Sequence, residues 1–221
     1  MTDLPPPQPP PVPPEAEPPD PSRAQDLVAR SGFTVYEPGR TVFDQPVLVY
    51  LPRRGKRWSD FDIVDHVGRP LAREVKTKDP RLLSVGVPSR IVDTYNNPIL
   101  EIRPKSGRFL STDFEVLGAA NGMFSQRVTL ASRLTIEANA EPFGAIIGGR
   151  LSGFSGNMEI EDHDKNIVGE IRQYRLTRNP FSMDKALVMG IDPLLRGELR
   201  RLLVAAPPIL FAIRRQQQGS S

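Results

Sequence analysis

Short runs of alternating apolar and polar residues recur along most of the chain, and each run stops at residues that favour turns. The pattern is clearest in three segments, FDIVDHVGRPLAREV (61–75), SRIVDTYNNPILEIRP (89–104) and NMEIEDHDKNIVGEIR (157–172). Each segment places a β-branched run before an aspartate, then two to four turn-forming residues, then a second alternating run. We therefore predict a β-hairpin in each segment, with the side chain of Asp93 or Asp162 capping its turn.

Two weaker copies of the pattern, at 114–128 and 134–148, raise the number of predicted hairpins to five. Five hairpins supply ten strands, and the segment TVFDQPVLVYLP (41–52) supplies one or two more. Short strands that follow one another with polar turns are typical of an antiparallel barrel or sandwich. The strands leave one face polar, which favours a single sheet wrapped around one core.

The last apolar stretch, LRRLLVAAPPILFAIRR (199–215), is too short to cross a membrane as a helix. Its uninterrupted apolar run covers twelve residues, 202–213, whereas a spanning helix needs about 20. We predict a buried helix instead, with Asp192 and Pro193 at its start. A break is expected near Ala206, because two prolines follow it.

A helix that is apolar on nearly every side has to be enclosed by protein. The predicted fold class is therefore mainly β, a closed antiparallel barrel of about twelve strands that encloses a hydrophobic C-terminal helix. In this fold, strands on several sides bury Leu203, Ile209, Leu210 and Ile213.

The chain begins with MTDLPPPQPPPVPPEAEPPDP, a stretch that is dominated by proline and offers almost nothing apolar to bury. We predict a disordered proline-rich tail at 1–24, the barrel domain with its core helix at 25–215 and a flexible tail at 216–221. The proline-rich tail is either a ligand for an SH3- or WW-like partner or a solubilising spacer.

The composition adds a mild preference for anionic partners. The chain has 221 residues, no cysteine and a formal net charge of +3. Without cysteine there are no disulfides, thiolate nucleophiles or cysteine-bound zinc, and the basic charge favours anions. The first residues lack the pattern of a secretory signal, so we expect a cytoplasmic protein, at most peripheral on the inner face of the membrane.

Residues with catalytic or metal-binding chemistry do not form a site that the sequence identifies. Asp162, Asp164 and Asn166 resemble the start of a calcium loop, but the sixth and twelfth positions of that loop hold Ile167 and Gln173. The two histidines each stand beside an aspartate in a predicted turn, where they are solvated. We therefore predict no enzyme, no catalytic residue, no metal and no cofactor.

The loop RRGKRW (53–58) is the strongest candidate for a binding surface. It carries four cations in five residues beside the only tryptophan, a combination that suits an anionic membrane surface. Lys76, Lys78 and Arg81, in the next loop VKTKDPRL, enlarge the patch if both loops lie at the same end of the barrel. The alternative is a solvated hairpin loop with its tryptophan folded onto the barrel. The predicted lipid-binding residues are Arg53, Arg54, Lys56, Arg57, Trp58, Lys76 and Lys78.

The repeated hairpins with I-x-D turns, and the apolar helix that follows KALVMGIDPLL, resemble the phospholipid scramblase-related and LURP-one-related proteins of the tubby C-terminal-like superfamily, the bacterial members in particular. The resemblance covers roughly residues 33–215. It implies a twelve-stranded barrel threaded by a hydrophobic C-terminal helix, with structural roles for Asp65, Asp93 and Asp162. It also implies phosphoinositide binding by basic residues, as in the tubby branch. The chain lacks the cysteine cluster and acidic calcium-binding segment of animal scramblases.

Three functions follow as hypotheses. The first is a non-enzymatic module that binds anionic phospholipid headgroups at a membrane surface through its basic loop. The second is a phospholipid scramblase that moves lipids between bilayer leaflets, and the third is a scaffold that acts through the proline-rich tail. We expect no nucleic-acid partner, because no strand carries an RNA-binding cluster of aromatic residues.

Overall fold

The described residues of the computed structural model form a closed antiparallel barrel of twelve strands, which confirms the predicted fold class. The structure describes residues 20–53, 60–76, 88–105, 111–127, 130, 132–139, 141–148, 157–176 and 185–218. The strands are β1 (Val47–Pro52), β2 (Phe61–Val64), β3 (Pro70–Lys76), β4 (Ser89–Asp93), β5 (Pro98–Lys105), β6 (Ser111–Gly118), β7 (Gly122–Arg127), β8 (Arg133–Ala138), β9 (Glu141–Gly148), β10 (Met158–Asp162), β11 (Ile167–Arg175) and β12 (Lys185–Ile191). The helices are α1 (Pro21–Ser31), α2 (Gly197–Leu203) and α3 (Ala206–Gln218).

The two open ends of the barrel differ in their connections. Each strand pairs with the next one along the chain, and β12 pairs with β1 to close the sheet. All odd-numbered strands therefore run in one direction. The end where they begin, the turn rim, carries the tight turns and the link from β12 to α2. The end where they finish, the loop rim, carries the connections 53–60, 77–88, 106–110, 128–132, 149–157 and 176–184.

Three turns at the turn rim share one hydrogen-bonding arrangement. Asp93 Oδ1 accepts hydrogen bonds from the backbone N–H groups of Tyr95 and Asn97, each at 2.8 Å. Asp65 and Asp162 accept backbone hydrogen bonds within their own turns in the same way. Because a carboxylate held by its own turn fixes that turn's path, these contacts confirm the predicted capping role of the aspartates.

The interior of the barrel is filled by α2 and α3. Leu203 and Ile209 are 0% exposed, and Leu210 and Ile213 are 1% exposed, as predicted. They belong to one apolar cluster to which each of the twelve described strands contributes side chains. Within the described residues, no helix is both long enough and apolar enough to span a membrane.

The core helix is interrupted at Val204 and Ala205, which confirms the predicted break. Pro208 has no backbone N–H, so the carbonyl of Val204 loses the helical partner that it would otherwise have. The hydroxyl of Tyr50, on β1, donates to that carbonyl at 3.1 Å instead. Burial raises the pKa of Tyr50 well above its ordinary value, so this donor keeps its proton.

The helical region begins later than predicted. α2 starts at Gly197 after the N-cap Arg196, and Asp192 is not its cap. Asp192 Oδ1 accepts a hydrogen bond from the backbone N–H of Leu194 at 2.7 Å, so it closes a turn just after β12. The N-cap prediction was wrong because an Asp-Pro pair is equally suited to a turn.

Arg200 anchors α2 to the turn rim. Its guanidinium donates to the carbonyls of Phe43 at 2.7 Å, Gln45 at 2.9 Å and Asp192 at 3.0 Å. A fourth contact reaches the carbonyl of Leu195 at 3.3 Å. One buried side chain therefore ties α2 to the segment before β1 and to the link after β12.

α1 lies outside the barrel against β1 and β12. Its buried side chains, which include Leu27 and Val28, pack with apolar residues on the outer face of those strands. Asp20 caps the helix and accepts the N–H of Ser22 at 3.0 Å, with Pro21 in the first turn. The predicted domain boundary between residues 24 and 25 falls within this helix. The predicted disorder of residues 1–19 lies outside the described residues.

Candidate functional site

The connections that leave from the loop rim are richer in basic residues than the connections at the turn rim. Its six connections carry nine basic and three acidic residues in the sequence. The five turns and the link to α2 at the turn rim carry three residues of each sign. In the sequence, the loop-rim connections therefore carry a formal surplus of six positive charges (nine minus three), and the turn-rim connections carry none (three minus three).

β1 and β3 both end at the loop rim, so the connections that follow them leave from the same end of the barrel. This meets the condition on which the sequence analysis joined their cations into one patch. Only Arg53 and Lys76 of the predicted lipid-binding residues belong to the described part of the chain. Arg54, Lys56, Arg57, Trp58 and Lys78 lie outside it, and their role stays a prediction.

Arg53 follows β1 directly and lies on the outer face of the barrel wall. Its backbone N–H donates to the carbonyl of Asp60 at 2.9 Å, which closes the base of the first connection. Its side-chain Nε lies 3.6 Å from Asp62 Oδ1. Burial raises the pKa of Asp62, while the positive charges of Arg53 and Arg73 act in the opposite direction. Arg53 is thus held at the rim by a partly buried carboxylate.

Lys76 is the last residue of β3 and lies on the inner face of the wall. Its ammonium group contacts a carboxylate oxygen of Glu74, a side chain with no exposed surface. The other oxygen of Glu74, Oε2, is buried and has no hydrogen-bond partner among the residues that the structure describes. Glu74 pairs across the ladder with Ile91, a core residue, and Lys76 pairs with Ser89. The lysine is therefore the counter-ion of a buried acid.

The structure does not bring Arg53 and Lys76 onto one face. Successive side chains of a strand point to opposite sides of the sheet, and the two cations fall on opposite sides of the wall. Each also has a carboxylate partner, so neither brings an uncompensated charge to the rim. Any net attraction for an anion has to come from the other cations of the loop rim.

Glu74 is the polar residue at this rim that the sequence analysis missed. The segment LAREVK places Ala72, Glu74 and Lys76 on one face by simple alternation. Because Ala72 is apolar and buried, that face points inward. The same alternation of inward and outward side chains could have assigned Glu74 to the interior and identified Lys76 as its partner.

In the β10–β11 turn, the carboxylate that resembles a calcium ligand accepts hydrogen bonds from within the turn instead. Asp162 Oδ1 accepts the backbone N–H of Asn166 at 2.9 Å, and Oδ2 accepts its side-chain amide at 3.0 Å. The side-chain hydrogen bond from Asn166 lowers the pKa of Asp162. No group of three or more histidine, cysteine, aspartate or glutamate side chains suited to a metal occurs in the described ranges.

These observations define a helix-filled antiparallel β-barrel with one basic rim. No family model matches the chain, and no curated protein matches it. Among solved structures, it matches a protein from Arabidopsis thaliana known by its X-ray structure, with 12% sequence identity and a TM-score of 0.47. The match covers 81% of this chain and 97% of the plant protein.

Proposed function

We propose that this protein is a non-enzymatic, membrane-peripheral module that binds anionic phospholipid headgroups with its loop rim. The observation that carries the proposal is the difference in charge between the two ends of the barrel. Basic residues near an anionic membrane surface contribute about 1 kcal/mol each. A surplus of cations at one end of the barrel gives the protein both an affinity for an anionic membrane and a fixed orientation on it.

We also propose that the chain belongs with the phospholipid scramblase-related and LURP-one-related proteins of the tubby C-terminal-like superfamily. Two features of the structure support this assignment, the closed barrel of twelve described strands and the apolar C-terminal helix inside it. Both are what the resemblance in the sequence implies. Lipid scrambling is the alternative activity of such a protein, and dithionite quenching in reconstituted liposomes tests it separately.

Vesicle co-sedimentation of the full chain tests the lipid-binding proposal. One set of vesicles contains phosphatidylcholine alone, and the other contains about a third phosphatidylserine. The test variant replaces three cations of the first loop-rim connection, Arg54→Glu, Lys56→Glu and Arg57→Glu. The matched control replaces three exposed cations on the turn-rim side, Arg40→Glu, Lys165→Glu and Arg196→Glu.

The wild-type chain should sediment with the anionic vesicles only and should be released by 1 M salt, which shortens the Debye length to about 3 Å. Loss of three cations corresponds to about 3 kcal/mol, or roughly a hundredfold weaker binding, for the test variant. The control variant has the same net charge and should keep most of its binding. Equal, negligible sedimentation with both kinds of vesicle contradicts the proposal, as does equal weakening of both variants.

A further inference from the structure

An open groove with both apolar and charged side chains in its walls runs along the turn-rim side of the barrel, away from the loop rim. It consists of two adjoining cavities of about 570 and 390 Å³ that share Tyr36, Pro46 and Pro193. The first cavity lies over the start of β11 and the end of β12, and the second continues towards α2. The two cavities therefore form one continuous groove.

Aromatic and aliphatic side chains stand open to solvent along this groove. Tyr36 is 49% exposed, Ile167 is 61% exposed and Leu194 is 82% exposed. Isolated apolar residues on a surface are ordinary, but several that line one concave surface mark a site of interaction. Aromatic grooves of this kind accept proline-rich segments, because a polyproline II helix presents an apolar ridge and loses little entropy on binding.

The aromatic wall of the groove is built on a fixed support. Phe33 rests on the backbone of Gly190, where an added Cβ atom would lie 2.9 Å from the ring. The guanidinium of Arg172 also lies over the Phe33 ring, with its carbon 4.7 Å from the ring centroid. Phe33 thus contacts both Gly190 and Arg172, so that the wall next to Tyr36 is preformed.

We propose that this groove is the docking site of the chain's own proline-rich residues 1–19. These residues lie outside the described part of the chain and include ten prolines. They join the barrel at Asp20, the cap of α1, and the far end of α1 leads to Gly32 in the wall of the groove. α1 is about 16 Å long, whereas eight residues of polyproline II span about 25 Å. The segment is therefore long enough to reach back to the groove.

The absence of cysteine makes the full chain suitable for a proximity test. The test protein carries Val12→Cys and Leu194→Cys, which places one thiol in the proline-rich segment and one in the groove. The control carries Val12→Cys and Tyr95→Cys. Tyr95 is 83% exposed, almost the same as Leu194, and lies in the β4–β5 turn on the same rim. Pro21, next to the segment, approaches Gly68 of the nearby β2–β3 turn, so a chain without a docking site would reach the control position at least as easily.

Disulfide formation at low protein concentration is the measurement. The 12–194 pair should form at least tenfold faster than the 12–95 pair. Adding Tyr36→Ala, or a synthetic peptide of residues 1–19 in excess, should slow the 12–194 pair to the rate of the control. Equal rates for both pairs, or a 12–194 rate that neither change affects, would overturn the proposal. The test contains no lipid, so its outcome is independent of the function proposed for the loop rim.

Discussion

At the scale of single residues, Tyr50 supplies the hydrogen bond that Pro208 removes from the core helix. We expect Tyr50→Phe to lower the free energy of unfolding by about 1–3 kcal/mol, because the buried carbonyl of Val204 would be left without a donor. Urea unfolding followed by circular dichroism measures this loss. Tyr95→Phe is the matched control, since Tyr95 is 83% exposed, and it should change stability by less than about 0.5 kcal/mol.

The stability difference between the wild type and Tyr50→Phe should also depend on pH. Because burial raises the folded-state pKa of Tyr50 above its ordinary value of 10.0, the unfolded chain loses this proton first as the pH rises. The stability that the protonated hydroxyl contributes is therefore fully present below pH 10 and falls above it. The difference between wild type and Tyr50→Phe should shrink between about pH 10 and 11. A difference that stays constant over that window would show that the hydroxyl is not the protonated donor to Val204.

Lys165 adopts a backbone conformation that suits glycine. Its φ is +68°, the same region that Gly68 occupies with φ +87° at the equivalent place of the β2–β3 turn. We expect Lys165→Gly to stabilise the fold by up to about 1 kcal/mol. Gly68→Ala should do the opposite and cost more than about 2 kcal/mol, because its Cβ would lie 2.4 Å from Pro21 Cα. Thermal unfolding of both variants measures these two changes in stability. A loss of stability in Lys165→Gly would contradict the prediction.

At the scale of elements, the sequence predicts the features that depend on neighbouring residues in the chain. Alternation and turn residues identify the hairpins, and two prolines predict the break in the core helix. α1 was missed although Ala24, Leu27, Val28 and Ser31 follow helical spacing, because the composition of the preceding residues extended the predicted tail over its first turn. The alternation in LAREVK could have identified Glu74 as the partner of Lys76, whereas the loop that holds Arg53 has no alternation from which its partner Asp62 could be predicted.

Arg200 could not be identified from its neighbours in the sequence, yet it holds α2 to two separate segments. Arg200→Met should lower the free energy of unfolding by about 3 kcal/mol, because four backbone carbonyls lose a charged donor at once. Arg201→Met is the matched control on the same helix, since Arg201 is exposed, and should be nearly neutral. Chemical denaturation compares the two. Equal losses of stability in the two variants would mean that the charge of the helix, and not the hydrogen bonds of Arg200, determines stability.

At the scale of the whole molecule, the barrel separates two surfaces by the length of its strands. The described strands have four to nine residues and span roughly 13–30 Å, and the core helix fills the space between the rims. The basic loop rim and the groove near the turn rim therefore do not overlap. A membrane bound to the loop rim would leave the groove accessible at the turn rim.

This arrangement predicts a fixed orientation on an anionic membrane. An environment-sensitive dye on Asn157→Cys, an exposed loop-rim position at the start of β10, should shift its emission to shorter wavelength when phosphatidylserine vesicles are added. The same dye on Tyr95→Cys, at the turn rim, should not respond, because it would remain roughly 20 Å or more from the bilayer surface. High salt should reverse the signal at position 157. A response at position 95 alone would assign the membrane contact to the apolar residues of the turn rim and would remove the basic loop rim from the mechanism.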